Sequence, residues 1–367
     1  MSQTRGEYSA KMSGLLSQAF TWRALRALLR PSSYARGKAL QERADFMRLY
    51  LLTGAREAWP DAPRVEDVDE LPALPELRAK VRERLGMQAL TVLDAWHRER
   101  PAPLPPESPR APVEEAKRAA LEAERAEAMV AAQRRAFGFE LRVAPSSAGA
   151  GSGSGVWLTG AAPPGSILAF YPGVTYEVHD VIGLPGGTRF FDKNDYLMAR
   201  YDRAIVDAST RALELLPGDA RANPLSVAHR VNHPPRGSAP NVVPAPVQWD
   251  KATPAALLEL LPNVSYEGSS QKQRALLAGG STTDEPSRDP RARRWDLADV
   301  FRASIADGIK PAVDDDAGPV LKGLALVASR EVRDEELFLN YRLNPGNKYP
   351  EWYVPVDAEE DSRRWSR

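Results

Sequence analysis

The stretch Ala328-Ser-Arg-Glu-Val-Arg-Asp-Glu335-Glu336-Leu337-Phe-Leu-Asn340-Tyr341 decides how this chain reads. Before it, Leu324-Ala-Leu-Val-Ala is a short apolar run of strand-forming residues. Within it, a charged segment separates that run from a second apolar one, Leu337-Phe-Leu. A strand, a charged turn and a second strand closing on a tyrosine follow from this pattern, so the region is β and not helical. Taken alone it reads equally as an ordinary hairpin with Tyr341 packed in a core.

Upstream lies His229-Arg-Val-Asn232-His233-Pro-Pro-Arg-Gly-Ser-Ala-Pro240-Asn241, an apolar approach ending in Asn-His, a short loop and Pro-Asn. Amide and imidazole groups at such a turn can bind a polar ligand, although Asn, Pro and Gly also dominate plain turns. Further upstream, Ser146-Ser-Ala-Gly-Ala-Gly-Ser152-Gly153-Ser154-Gly155-Val-Trp157 is a glycine-rich turn leading into a strand. Such a turn lets backbone approach a ligand closely, while a flexible linker has the same composition. Because a strand follows, it is not a dinucleotide fingerprint, which opens a helix. Between these stretches stand Phe170-Tyr171-Pro-Gly173 and Ile205-Val-Asp207-Ala. Downstream comes Tyr349-Pro-Glu-Trp352-Tyr353, which reads equally as an aromatic cap on a core.

In this order the elements resemble the SET family of protein-lysine methyltransferases. Gly153-Ser154-Gly155 matches the family's Gly-x-Gly strand, and Phe170-Tyr171-Pro-Gly173 its aromatic-glycine strand end. Ile205-Val-Asp207-Ala matches its Ile-Asp-Ala strand, and Asn232-His233 its Asn-His element. Asp334-Glu335-Glu336-Leu337 through Tyr341 matches its Gly-Glu-Glu-Leu…Tyr element. The resemblance covers about 215 residues of the chain. It implies an α+β architecture: a β-rich SET fold with a knot-like crossing, preceded by a helical N-terminal region and carrying a long insertion. It implies S-adenosyl-L-methionine as methyl donor and, as partner, a protein substrate bearing a lysine, a histone tail among the candidates. Tyr341 would orient the reacting groups and Tyr171 would line the lysine channel. Gly153, Ser154, Gly155 and Trp157 would meet the methionine part of the cofactor. Asn232 and His233 would hold its amino-acid or adenine portions, and Trp352 would stack on adenine. Two other readings stand beside this one, a catalytically weak SET-fold binding module and an interaction protein whose helical N-terminal region does the work.

The sequence departs from the family pattern in places. Six residues, Pro234 to Ala239, separate His233 from Pro240 where the family has three, and Asn340 precedes the tyrosine where many members have Asp. Val243 and Pro244 stand where the zinc-free branch carries a further channel tyrosine. The Cys-rich zinc-binding flanks of many members are missing, which puts the cofactor-side lid on Lys348 to Trp352.

Composition narrows the alternatives. Among 367 residues there is no cysteine, which removes disulfides, cysteine nucleophiles and thiolate metal sites. The four histidines, His97, His179, His229 and His233, include no pair placed to share a metal on a helix, so no metal is expected. Lys plus Arg equals Asp plus Glu at 49 each, so net charge gives no drive toward nucleic acid, and no direct nucleic-acid binding is expected. No apolar run is long enough for a membrane span. An intracellular protein, of nucleus or cytoplasm, is expected. The basic segment 1–40, with seven Lys and Arg against Glu7, reads either as a surface helix or as organelle targeting.

Composition also divides the chain. Residues 1–100 carry helical periodicity, with Leu77, Val81, Leu85, Leu90, Leu93 and Trp96 on one side of a helix. Residues 101–136 hold a Pro-rich linker and a solvated helix, and 137–353 the β-rich domain. An insertion is expected at about 245–320, mobile over 268–290, with helical pieces at Thr253–Leu261 and near Trp295–Ile305. Residues 354–367 are expected to be a tail.

Overall fold

A computed structural model describes residues 34–57, 72–102, 115–149, 151–184, 194–268, 270, 273, 321–346 and 348–365. Residues 1–33, with most of the basic segment, lie outside this set. So do the Trp295–Ile305 helix and almost all of the stretch expected to be mobile.

Three long helices come first: α1 (Tyr34–Glu57), α2 (Leu74–Glu99) and α3 (Glu115–Phe137). In α2, Pro75 sits in the first turn, where its missing N–H costs nothing. The helix then buries Leu77, Val81, Leu85, Ala89, Leu93 and Trp96, a stripe at spacings of four and three that keeps to one face. Among the described residues of helix α3, only Ala132 and Gln133 are fully buried. The helix is fixed at its end, where Phe137 packs between Trp96 and Phe139, with ring centres 5.9 and 5.8 Å away.

The rest is α+β, as expected, built on ten strands among the described residues. Strands β1 (Phe139–Pro145), β2 (Ser154–Ala162) and β10 (Val332–Glu336) form one antiparallel sheet in the order β1-β2-β10. Strands β3 (Ile167–Tyr171), β9 (Leu321–Ala328) and β7 (Val242–Trp249) form a second, in the order β3-β9-β7. Strands β5 (Leu197–Ala199), β6 (Ile205–Asp207), β4 (Gly173–Tyr176) and β8 (Asn263–Ser265) form a third, in the order β5-β6-β4-β8, with β4 and β8 parallel. Strand β7 carries Pro244 and Pro246, which cannot donate to a ladder, and accordingly it lies at a sheet edge. Helix α2 packs on β7 and β3, so its apolar stripe and the second sheet share one core. The N-terminal helices are thus part of the domain's core and not a separate unit.

Two boundaries differ from those expected. The insertion does not begin near 245: β7 runs to Trp249, and β8 pairs with β4 as far as Ser265. Pro244 and Pro246 within the segment hid a paired strand. The helix expected over Thr253–Leu261 is one turn, Ala255–Leu258. Of the tail expected over 354–367, the described part, to residue 365, is not a tail either. Helix α8 (Ala358–Trp365) packs on α1, with Asp361 fully buried. Among the described residues no helix is long and apolar enough to cross a membrane.

Candidate functional site

The segment Leu337–Tyr341, leaving β10, is hydrogen-bonded along both sides. Leu339 N donates to Asn232 O at 2.9 Å, and Phe338 O accepts from Asn241 N and Val242 N at 3.1 and 3.2 Å. The Asn241 side chain, wholly buried, completes this seam. Its Nδ2 donates to Glu336 O at 2.8 Å and its Oδ1 accepts from Phe338 N at 2.7 Å. One amide thus satisfies two backbone groups that would otherwise be orphaned in the core. This seam brings Asn232-His233 against Tyr341, 108 residues further along.

The His233 ring is fixed at both nitrogens. Tyr341 N lies 3.3 Å from Nδ1 and donates to it, while Nε2 lies 2.8 Å from Val354 O. A ring that accepts at Nδ1 and faces a carbonyl at Nε2 is the neutral Nε2–H tautomer. Burial lowers its pKa despite the opposing pull of the Val354 carbonyl, which agrees with that assignment. Aromatic rings surround it: Tyr353 at 4.4 Å, Tyr341 at 5.6 Å and Trp352 at 6.5 Å between centres. Trp352 stands edge-on to Tyr341 at 6.1 Å and 87° and is 48% exposed.

Tyr341 donates its hydroxyl hydrogen to Val231 O at 3.0 Å. An oxygen held this way turns its lone pairs elsewhere. Tyr171, at the end of β3, is buried, and its phenol is pushed well above the usual range by burial and then by Tyr341, Asp207 and Tyr196. Two contacts place Tyr171. Asn263 Nδ2 donates to its carbonyl at 2.9 Å, and Gly173, two residues on, lies where a Cβ would be 1.8 Å from Asp207 O. No residue but glycine can occupy position 173.

The glycine-rich run is ordered by Glu336. Its carboxylate accepts from Ser146 Oγ at 2.6 Å, Ser147 N at 2.7 Å and Ser147 Oγ at 2.6 Å, and Ser146 N closes the turn on Gly153 O at 3.0 Å. Asn232 Nδ2 donates to Ser154 O at 2.9 Å, joining this turn to the seam. Beyond Gly153, whose φ is +64°, no atom lies within 4 Å of where a Cβ would stand.

Hydrogen bonds and ring contacts thus link Ser154, Asn232, His233, Tyr341 and Trp352, with His233 itself buried and its ring nitrogens held by backbone atoms, and Tyr171 interacts electrostatically with Tyr341. Trp157 is engaged elsewhere: its Nε1 donates to Pro145 O at 3.1 Å, and the Arg142 guanidinium sits 6.0 Å from its ring. Gly155 faces Glu336. The roles of Glu336, Asn241 and Tyr353 escape a sequence reading, although all three lie in the stretches quoted above. Their partners sit far away along the chain, and no local pattern marks them.

No protein-family model, curated protein or solved structure matches this chain.

Proposed function

We propose that the chain is a SET-type methyltransferase that uses S-adenosyl-L-methionine to methylate a lysine side chain of a protein substrate, a histone tail being one candidate. The motifs that carry the resemblance are similar to those of SET domain-containing protein 9. The observation that supports the reading best is the joining of Asn232-His233 to Tyr341 by the seam through Leu339 and Asn241, with Trp352 edge-on beside them. In the reading proposed, this seam is the family's knot-like crossing.

The residues present suit such a cofactor. Its amino-acid end calls for amide and backbone partners, which Asn232 and the open backbone at Gly153 offer. Its adenine calls for an aromatic face, which the half-exposed Trp352 offers. When bound, the cofactor supplies a methyl group on a sulfonium, which passes to the lysine nitrogen as the S–CH3 bond breaks and leaves a thioether.

The chain's own residues do the remainder. A free lysine has a pKa near 10.4, so only about one in two thousand is neutral at pH 7. The substrate ammonium must lose its proton to water before the nitrogen can attack. Burial around Tyr171 disfavours the charged form and promotes that loss. Tyr171 itself stays a neutral phenol and adds no charge to the channel. Tyr341, with its hydrogen committed to Val231, presents its oxygen to the reacting groups and fixes the line of approach. His233 acts as a strut for Tyr341 and needs no proton transfer of its own. Calorimetric titration with S-adenosylhomocysteine tests the reading: one molecule per chain is expected, and no binding to the intact protein would overturn it.

A further inference from the structure

Arg342, directly after Tyr341, has a φ of +50°, a conformation that side-chain-bearing residues hold only when their surroundings impose it. The surroundings here come from both ends of the chain. Asp45, in the middle of α1, accepts from Arg342 Nη1 at Oδ2 and from Nη2 at Oδ1, both at 3.2 Å. Arg342 Nη2 also lies 2.9 Å from Glu360 of α8, and Trp365 Nε1 donates to Arg342 O at 2.9 Å. Asp45 further accepts from Arg364 Nη2 at 2.6 Å and from the Tyr201 hydroxyl.

Every member of this cluster is largely withdrawn from water, with side-chain exposures of 10% for Asp45, 13% for Arg342 and 15% for Glu360. Burial alone would raise the Asp45 carboxyl, but Arg342 and Arg364 outweigh it and hold it below the usual carboxylate range. A buried ionic network of this kind adds little net stability compared with an apolar core, so its use lies in fixing one geometry. The geometry fixed is that of residue 342, and hence of the peptide that carries Tyr341.

We propose that Asp45 is a positioning residue for Tyr341: helix α1 reaches the active site through the Asp45–Arg342 pair and sets where the tyrosine hydroxyl points. The inference rests on the function proposed above and deepens it. Under it, α1 is a working part of the methyl-transfer site. The seam holds Tyr341 from one side, through His233 Nδ1 and Val231 O, and the brace holds it from the other.

A double-mutant cycle separates positioning from general support of the fold. Asp45→Ala should lower the single-turnover rate about tenfold in the wild-type background and less than about twofold in Tyr341→Phe, where no hydroxyl is left to misplace. S-adenosylhomocysteine affinity should stay within about twofold, since the substitution removes the bond to Arg342 and leaves the Asn232–Ser154 bond in place. Equal, additive losses in the two backgrounds would overturn the proposal. If Asp45→Ala does not fold, Arg342→Lys keeps the charge but loses the two-pronged bond and is held to the same pattern. A crystal structure of whichever variant folds supplies a readout independent of turnover. Residue 342 should leave the left-handed region and the Tyr341 hydroxyl should part from Val231 O. An unchanged residue 342 would overturn the proposal even if the wild-type protein shows no methyl transfer, an outcome that would count separately against the function proposed above.

Discussion

Glu336 occupies the space that any side chain on Gly155 would need: a Cβ at 155 would lie 1.9 Å from Glu336 Oε1. The carboxylate held in that space is the one that accepts from Ser146 and Ser147. The glycine and the glutamate, 181 positions apart (336 − 155), are therefore halves of one device that shapes the turn ahead of β2.

Gly155→Ala must push the Glu336 carboxylate away and release the serine turn. Three hydrogen bonds to a charged acceptor are then broken or strained, at a cost of about 1.5–3 kcal/mol for each one lost outright. The expected result is a lower melting temperature together with at least about tenfold weaker binding of S-adenosylhomocysteine. Thermal melts and calorimetry check it, and wild-type values in both would show that the turn does not depend on this pair.

Asn232→Ala removes the bond to Ser154 O that ties the seam to the turn. Cofactor affinity should fall about tenfold, or about 1.4 kcal/mol, while the buried seam through Asn241 remains. Calorimetric titration of this variant against wild type gives the answer directly.

The α2 stripe and the α+β class are legible in the sequence because each depends on local periodicity. The hairpin expected to close on Tyr341 does not form: β9 and β10 lie in different sheets, the charged segment Val332–Glu336 is itself β10, and Phe338 and Leu339 make only isolated bridges, because pairing with β2 far along the chain overrides the local pattern. Leu77, Val81, Leu85, Leu93 and Trp96 fall on the buried face as the periodicity predicts, whereas Leu90, expected there too, is only partly buried and Ala89 is buried instead. What was not legible depends on partners far along the chain. The regular pairing of β7 with β9 through Pro244 and Pro246 is invisible in a segment that reads as turns. The short polar helix α8, with Asp361 buried, looks like a solvated tail until its contacts with α1 are seen. At the candidate site the residues are named by the resemblance to the SET family, and spacing alone does not assign them. The glutamate under Gly155 is not legible either way, because nothing near position 336 announces which glycine it faces.

Leu85 lies wholly buried in the stripe that α2 presents to the second sheet. Leu85→Ala should destabilise the protein by about 2–5 kcal/mol. Because helices and sheets share one core, the loss should appear as a shift of a single unfolding transition. Denaturant titration followed by both far-UV circular dichroism and tryptophan fluorescence tests this. Two separated transitions would mean that the helices form a unit of their own.

His229 provides a pH signature. Burial, with Arg230 adding to it, pushes its imidazole down to about 4, and its Nδ1 is buried without a hydrogen-bond partner. The unfolded chain, with a histidine pKa near 6.5, therefore binds more protons below that value. The stability this implies is complete above about pH 6.5 and is lost as pH falls through about 4. Near pH 5 the loss amounts to about 2 kcal/mol. Asp361, raised to about 6 chiefly by burial, works in the opposite sense, since its contribution weakens as pH rises through that value. Comparing His229→Gln with wild type cancels the Asp361 part. The variant should show a flatter fall in stability between pH 7 and pH 5, and parallel profiles would remove His229 from the account.

The central claim is methyl transfer positioned by Tyr341, and single-turnover methylation tests it most directly. Wild type and Tyr341→Phe are each mixed with labelled S-adenosyl-L-methionine and a panel of core histones and lysine-bearing peptides. Wild type should place label on a lysine side chain. Tyr341→Phe should do so about a hundredfold more slowly, a loss of about 2.7 kcal/mol, with S-adenosylhomocysteine affinity unchanged. Equal rates in the two proteins would take Tyr341 out of the chemistry. No label on any substrate, joined to no binding of S-adenosylhomocysteine, would contradict the account as a whole.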